Sequence, residues 1–328
     1  MHIKAEDIEA GLTSEDQRTR VEWSRRTDYT PTHKQIDRGL KDESEWVRLE
    51  WAQREDFTPT PKQVETGLTD EYAYIRHTWT IRKDFIPTPD QVERGLQDVD
   101  PINIRTWLER TDFTLTPEQV ERALTHEDGN VRCTCAQRLD FTPTPEQVER
   151  GLTDTKGFVR SAWAERLDYT PTPEQIERGL NDKRWNVRWA WAKRMDFTPT
   201  PEQIERGLTD VTSDVRSAWA ERMDFTPTPE QIERGLVDKY KEVREVWALR
   251  TDYTPSVKQI HAGLKDKSMD IRVLWILRKE FIPTAEQIEK GLKSKSNRFR
   301  KAWSTKVSMM HAEMDEVSPT EYGVVFAL

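Results

Sequence analysis

The chain is poor in the residues on which most enzyme and metal chemistry depends. It has 328 residues but only two cysteines and six histidines. Cys133 and Cys135 lie two apart on one predicted helix, so their side chains point in different directions and no disulfide is expected. The histidines share no repeated position, and no glycine-rich phosphate loop, nucleophile elbow or pair of catalytic carboxylates stands out. We therefore expect no enzyme, no cofactor and no metal site.

Long apolar segments are also missing. Hydrophobic residues make up only 35% of the chain, and no stretch approaches the roughly 20 residues that a membrane-spanning helix needs. No secretory signal opens the sequence. Together with the absence of a disulfide, this favours a reducing cytoplasm, and we expect no contact with a membrane.

Tryptophan, in contrast, is abundant and periodic. Ten of the thirteen tryptophans lie 28 residues apart, and Cys135 fills the one missing place. A fixed period of this length is typical of a solenoid, in which each unit buries its apolar face only against its neighbours. The low apolar content agrees with this, because a solenoid core is a thin seam. The residues of this tryptophan ladder are Trp23, Trp51, Trp79, Trp107, Trp163, Trp191, Trp219, Trp247, Trp275 and Trp303.

The repeat unit is clearest at residues 210–237 and contains two helix signatures. Thr228-Pro229-Glu230-Gln231 is a capping box with proline at the first helical position. It predicts a short helix that Gly235 ends as a left-handed C-terminal cap. A longer helix is predicted at about 211–222, with Asp210 as its N-cap.

One motif recurs along the chain, Val-Arg-x-Ala-x-Ala followed by Thr-Pro-x-x-x-Ile/Val and a later Leu-x-Asp. It is clear at Val159-Arg160-Ser161-Ala162-Trp163-Ala164, at Thr172-Pro173 through Leu180, and at Asp182. The motif resembles the variant leucine-rich repeat, a family related in style to HEAT and armadillo α-solenoids, over about residues 5–306. The unit here is longer, because of an inserted Asp-Phe/Tyr-Thr-Pro segment, and tryptophan replaces a smaller aliphatic residue.

The resemblance implies an all-α fold and a binding role. The expected architecture is a right-handed superhelical α-solenoid of about ten to eleven two-helix repeats of 28 residues each. A family member with an iron–sulfur cluster uses a cysteine-rich segment, which this chain lacks, so no cofactor is carried over. We expect a repeat domain at residues 1–306, with 1–14 as an N-terminal cap helix. Residues 307–328 leave the repeat and are expected to be a C-terminal cap or a flexible tail.

Charged residues also recur at fixed places. Each consensus unit carries three arginines and four acids, so the net charge of −8 is interpreted as a property of the scaffold. Arginine stands three residues before and three after the ladder tryptophan, and aspartate accompanies both. The preferred interpretation is an Arg–Asp ladder between adjacent units. The alternative is a stripe of arginines that follows nucleic-acid phosphates.

The pattern is weakest between residues 98 and 135. Here Ala123 replaces the glycine, Cys135 replaces the tryptophan, and the ladder arginine slips to Arg105. We interpret this as loss of the repeat consensus that the fold tolerates. The alternative is a local hinge.

Three places vary between otherwise similar units. They are the four residues that lead into the longer helix and the positions two before and two after the ladder tryptophan. The last two are four apart and share a helix face, and several members are aromatic, as anchors of protein interfaces often are. The candidate partner-binding residues are Trp46, Tyr72, Tyr74, His77, Arg105, Phe158, Trp185, Trp189, Lys193, Tyr240 and Glu245.

The leading hypothesis is a monomeric, non-catalytic cytoplasmic scaffold that binds a partner protein along this variable stripe. One alternative is a nucleic-acid-binding solenoid, and another is an acidic decoy of a DNA-binding protein. A simpler interpretation is that exposed positions drift without function.

Overall fold

The computed structural model describes residues 4–316, and side chains as far as residue 312. Every regular element in that range is an α-helix, and there are 22 of them. Short odd-numbered helices of seven or eight residues alternate with even-numbered helices of mostly nine. The predicted all-α, two-helix repeat is therefore confirmed. The chain divides into two compact units, Met1–Tyr169 and Thr170–Leu328, called unit 1 and unit 2 below.

Unit 1 contains α1 (Ala5–Leu12), α2 (Gln17–Arg25), α3 (His33–Gly39), α4 (Glu45–Gln53), α5 (Pro61–Leu68), α6 (Ala73–Ile81), α7 (Pro89–Gly95), α8 (Pro101–Glu109), α9 (Pro117–Leu124), α10 (Gly129–Ala136), α11 (Pro145–Leu152) and α12 (Gly157–Glu165). Unit 2 contains α13 (Pro173–Leu180), α14 (Trp185–Lys193), α15 (Pro201–Leu208), α16 (Ser213–Glu221), α17 (Pro229–Leu236), α18 (Lys241–Leu249), α19 (Val257–Gly263), α20 (Met269–Leu277), α21 (Ala285–Leu292) and α22 (Asn297–Glu316).

The short helices begin as the sequence predicts. At α17 the Thr228 hydroxyl accepts a hydrogen bond from the Gln231 backbone N–H, and the Gln231 side chain accepts one from the Thr228 N–H. The same reciprocal pair caps α3 through Thr32 and α19 through Ser256. The capping box is confirmed, and it fixes the start of the short helix in unit after unit.

Gly235 has a different role from the predicted one. It lies inside α17, and its backbone is not in the left-handed region. A Cβ atom at this position would lie only 2.1 Å from Nε1 of Trp247. The C-terminal cap prediction is wrong, because glycine is needed here to let the indole lie directly against the helix backbone.

The longer helix begins two residues later than its predicted N-cap implies. α16 starts at Ser213, and its N-cap Thr212 makes no side-chain cap. The Asp210 carboxylate instead accepts from the Thr212 N–H at 2.8 Å and from Arg188 Nε at 2.6 Å. The prediction of Asp210 as N-cap is wrong, because this carboxylate closes the preceding turn and bonds to the previous repeat.

The tryptophan ladder forms the core. Trp51 and Trp79 in unit 1, and Trp219 and Trp247 in unit 2, are at most 1% exposed. Each indole packs on the glycine of the short helix twelve residues earlier, while successive even-numbered helices of a unit pack on one another. Trp23 at the N-terminal end is half-buried. The apolar seam predicted from the repeat period is confirmed.

The arginines before the tryptophans form the predicted Arg–Asp ladder. Arg48 donates to both carboxylate oxygens of Asp70, 22 residues further on, at 2.7 and 3.2 Å. Its third nitrogen donates to the Asp42 carbonyl at 2.8 Å. The Arg48 and Asp70 side chains are 9% and 6% exposed, so this charged pair is nearly withdrawn from water. The structural interpretation of these arginines is confirmed.

The arginines after the tryptophans are buried more deeply. Arg222 is 2% exposed and donates to the carbonyls of Ala192 and Phe197 in the preceding repeat, at 3.0 and 3.1 Å. Its guanidinium lies between the rings of Phe197 and Trp219, 4.8 and 5.3 Å from their centroids, and bonds to Asp224. A cation is well placed here because the last carbonyls of a helix lack partners. We call this series the buried arginines.

The C-terminal tail continues the last repeat as far as it is described. α22 runs without a break from Asn297 to Glu316, so part of the segment 307–328 is helical. Residues 317–328 lie outside the described range, and the proposal that they cap the repeat domain stays a prediction. Among the helices of the described chain, none is both long and apolar enough to cross a bilayer.

Candidate functional site

Three of the predicted partner-binding residues come together in unit 1. Trp46 in α4 and Tyr74 in α6 hold the same place in consecutive repeats, and their ring centroids lie 6.2 Å apart at an interplanar angle of 25°. The ring of Tyr72, which is the N-cap residue of α6, lies 5.6 Å from that of Tyr74. We call these three residues the aromatic cluster.

The local fold turns the aromatic cluster outward. Val47 and Trp51 of α4 are buried in the core, whereas Trp46 lies outside this buried stripe of the helix. Trp46, Tyr72 and Tyr74 remain 52%, 39% and 37% exposed. The Tyr74 ring contacts the other two rings, and all three are open to water, so they form an apolar patch of the kind that marks interaction sites.

Cationic and anionic groups border the aromatic cluster. The guanidinium of Arg48 lies 5.4 Å from the centre of the Tyr72 ring. Partial burial, together with the charge of the nearby Glu45 carboxylate, raises the pKa of the Tyr74 hydroxyl above its ordinary value. The contact between Arg48 and Tyr72 is an example of a guanidinium group held against an aromatic ring of this surface.

Two exposed glutamates lie in the loops next to the aromatic cluster. Glu43 accepts from Arg20 and Glu71 from Arg48, both at 3.1 Å, yet the glutamate side chains remain 87% and 74% exposed. Because most of each carboxylate surface faces water, both can still attract a positively charged group.

The net charge is not spread evenly over the repeats. Residues 1–100 contain 22 acidic and 15 basic residues, a net charge of −7, whereas residues 239–306 contain 17 basic and eight acidic residues, a net charge of +9. The interpretation of the charge as a uniform property of the scaffold is wrong. Consensus positions share in the imbalance, since Lys258 stands in place of Glu230 and Ser294 in place of Asp210.

The other predicted aromatic residues lie outside the cluster. Phe158 is 41% exposed in unit 1, and Tyr240 is 42% exposed in unit 2 with Arg216 at 5.6 Å from its ring centre. Trp185 and Trp189 share α14, but only Trp185 is well exposed, at 47%. None of these four residues belongs to a second cluster of aromatic rings within the described part of the chain.

The predicted polar residues are mostly engaged with their own chain. His77 Nδ1 and the Thr106 hydroxyl share a hydrogen bond of 3.0 Å. Arg105 lies 3.7 Å from Glu109, and Lys193 lies 2.6 Å from Glu221 of the next repeat. Glu245 is half-buried. These contacts leave the aromatic residues as the stronger candidates for partner binding.

Sequence reasoning missed Ile102. It is 55% exposed and holds, in the next repeat, the place of Trp46 and Tyr74. Ile102 lies in the segment where the repeat pattern is weakest, and its place in the stripe follows only from its spacing to the ladder tryptophan. Counting five residues back from Trp107 would have found it.

The fold and the surface together define an all-α repeat protein with an exposed aromatic patch. Within the described residues, no group of three or more histidine, cysteine, aspartate or glutamate side chains is arranged to hold a metal ion.

No protein-family model matches the sequence, and no curated protein matches it. Among solved structures, the chain is similar to one described as a leucine-rich repeat variant with a novel repetitive protein structural motif. That match has 22% identity and a TM-score of 0.44, and covers 74% of this chain and 84% of the other. A second similar structure is an engineered protein, with 14% identity and a TM-score of 0.35 over 93% of this chain and 98% of the other. The two-helix repeat is established by the helices and contacts of this chain itself.

Proposed function

We propose that the protein is a non-catalytic, cytoplasmic repeat scaffold that binds a partner protein, with the aromatic cluster as the main contact. The observation that carries this proposal is the stacking of Trp46 on Tyr74 at the surface of two consecutive repeats. Tryptophan and tyrosine are the residues on which interface binding energy most often concentrates. The buried tryptophan ladder forms the core, and the exposed rings of Trp46, Tyr72 and Tyr74 are not part of it.

The chemistry of the surface favours a basic segment of the partner. The first 100 residues carry a net charge of −7, and the exposed Glu43 and Glu71 lie in the loops that lead into α4 and α6. Aromatic faces attract guanidinium and ammonium groups, as Arg48 already shows at Tyr72. A peptide that alternates arginine with apolar residues would satisfy both the rings and the carboxylates. Phe158, Trp185, Trp189 and Tyr240 are proposed as further contacts along the variable stripe.

The arginine stripe offers little support for nucleic-acid binding. Arg48 is paired with Asp70, and Arg222 is buried against backbone carbonyls and Asp224. Guanidinium groups engaged in this way have few donors left for phosphate oxygens. Weak salt dependence of nucleic-acid binding is therefore expected from these positions.

Calorimetric titration with two synthetic peptides tests the proposal. One peptide alternates arginine and leucine, and the other has glutamate in place of each arginine. We expect the basic peptide to bind the full chain and the acidic one not to bind. The W46A/Y72A/Y74A variant should lose at least about 2 kcal/mol of binding free energy, as truncated interface anchors do.

A matched variant separates the cluster from general surface charge. Ile86 and Leu139 are 83% and 78% exposed in the same unit. They follow the C-terminal ends of α6 and α10, whereas the cluster lies at the N-terminal ends of α4 and α6. I86A/L139A should therefore bind the basic peptide as the original chain does. Equal affinity of the two peptides, or unchanged binding by the triple variant, would contradict the proposal.

A further inference from the structure

One exposed loop position changes the sign of its charge between the two units. It is the residue eight positions before each ladder place, directly after the position of the ladder aspartate. Unit 1 has Glu15, Glu43, Glu71, Val99, Glu127 and Thr155 there, and unit 2 has Lys183, Val211, Lys239, Lys267 and Lys295. All eleven residues are exposed. We call the four glutamates the glutamate column and the four lysines the lysine column.

The loops that carry the two columns have the same local structure. In unit 1 the Ser44 N–H donates to the Asp42 carboxylate at 2.9 Å, and in unit 2 the Tyr240 N–H donates to Asp238 at 2.9 Å. Each hydrogen bond spans the column residue, Glu43 or Lys239, and turns it away from the core. Because packed helices lie about 8–10 Å apart, successive members of both columns recur at the same interval.

The order of the residues is complementary when one unit is read forward and the other backward. This order pairs Glu15 with Lys295, Glu43 with Lys267, Glu71 with Lys239, Val99 with Val211, and Glu127 with Lys183, and it leaves Thr155 opposite itself. The same residues in parallel register would place glutamate against glutamate and lysine against lysine. Like charges in contact disfavour that alternative arrangement.

The two valines support the same pairing. Val99 and Val211 are 92% and 89% exposed, the highest values among the large apolar side chains of the described residues. They interrupt the glutamate and lysine columns at matching places. Contact between them across an interface would remove both from water.

We propose that two copies of this chain associate as an antiparallel dimer, with unit 1 of one copy against unit 2 of the other and the two-fold axis at Thr155. In such an isologous interface, residue i contacts residue j while j contacts i, which is the relationship between the two columns. The occupant of this surface is thus a second copy, in place of the monomer expected from the sequence. The inference goes beyond the proposed function because it depends on the two loop columns and not on the aromatic rings, although Glu43 and Glu71 enter both proposals.

The direct test is the oligomeric state of the full chain, measured by sedimentation equilibrium at low and at high salt. We expect a dimer that weakens as salt rises, because exposed ion pairs are screened. The variants E43K/E71K and K239E/K267E should each weaken self-association at least about tenfold. An equimolar mixture of the two variants should form a heterodimer, because one supplies only lysines at these places and the other only glutamates.

Several results would overturn the dimer. A chain that is monomeric at every salt concentration, or a dimer that neither charge variant weakens, would do so. A mixture of the two variants that stays monomeric would do the same. Unchanged circular dichroism and melting temperature of each variant would show that it is folded. K239E/K267E leaves the aromatic cluster intact, so its binding of the basic peptide reports on the proposed function separately.

The position of the two-fold axis has its own test. In a Cys133→Ser background, with Cys135 buried, Thr155→Cys places one accessible thiol on the proposed axis. Under mild oxidation we expect a covalent dimer. Thr209→Cys, at another exposed threonine away from the axis, should stay uncrosslinked. Equal crosslinking at both positions would place the axis elsewhere and contradict the register proposed here.

Discussion

A Cβ atom added to Gly207 would lie 2.2 Å from the indole of Trp219. The same close approach joins Gly39 to Trp51 and Gly179 to Trp191. The only repeat that has alanine in place of this glycine, at Ala123, is also the one that has Cys135 in place of the tryptophan. The two exceptions compensate for one another, since a small side chain at 135 leaves room for the methyl group at 123.

Gly207→Ala should therefore destabilise the protein. Helix propensity alone would favour alanine by about 1 kcal/mol. Overpacking against the indole should outweigh that gain and give a net loss of about 1–3 kcal/mol, measured as the free energy of unfolding in urea. A more stable variant would show that the close approach imposes no steric limit.

The pair at 123 and 135 gives the complementary prediction. Cys135→Trp alone should destabilise the chain, because Ala123 occupies the place of the indole. A123G/C135W should recover most of that loss and give a coupling free energy of about 1–3 kcal/mol in a double-mutant cycle. Ala123→Gly alone should cost only about 0.5–1 kcal/mol. Additive effects of the two changes would contradict compensation.

Trp219→Ala should cost about 3–5 kcal/mol, because it leaves a cavity at a fully buried position. The measurement is again denaturant unfolding, with tryptophan fluorescence as the signal. Trp46→Ala is the matched control, since Trp46 is 52% exposed and its loss should change stability by less than about 0.5 kcal/mol. Similar losses at both sites would mean that the ladder tryptophans are not the core.

Arg222→Ala should destabilise unit 2 by about 2–4 kcal/mol, because it strands buried carbonyls and leaves Asp224 without its partner. Arg222→Lys should cost less. The last repeat shows why, since buried Lys306 takes the same place and donates to the Arg278 carbonyl at 2.8 Å. Thermal unfolding of both variants tests this, and equal losses would show that charge alone matters at this position.

Acid should weaken the contacts between repeats. Hydrogen bonds from Arg206 and Gln203 lower the pKa of Glu177 from 4.5 to about 2. Since the pKa is lower in the folded chain, Glu177 stabilises the fold fully above about pH 4.5, and this stabilisation is lost as the pH falls towards 2. Glu177→Gln should be less stable than the original chain at neutral pH, and the difference should vanish near pH 2. A pH-independent difference would contradict this assignment.

The sequence predicts the repeat well because period and capping are local signals. The capping box at Thr228 and the buried place of Trp219 both follow from residues a few positions away. The role of Gly235 does not, because its constraint comes from Trp247 on another helix. A terminal glycine usually signals a left-handed cap, and only the packing distance distinguishes the two explanations.

The candidate surface is predictable only in part. The variable stripe correctly contains Trp46, Tyr72 and Tyr74, yet sequence alone does not show that these three rings meet while Trp189 is half-buried. Exposure depends on which side of each helix the neighbouring repeat covers. The charge imbalance could have been found from the sequence, but averaging over the consensus unit concealed it.

The buried arginines donate to backbone carbonyls of the repeat that precedes them in the chain. Arg222 finds its acceptors at Ala192 and Phe197, 30 and 25 residues closer to the N-terminus. Arg26, the first of the series, has only α1 and α2 before it; its side chain is 41% exposed and bonds to Asp28. During translation these carbonyl groups are synthesised before the arginine whose guanidinium donates hydrogen bonds to them. Each newly synthesised repeat can thus close onto one that is already finished, in the order of translation.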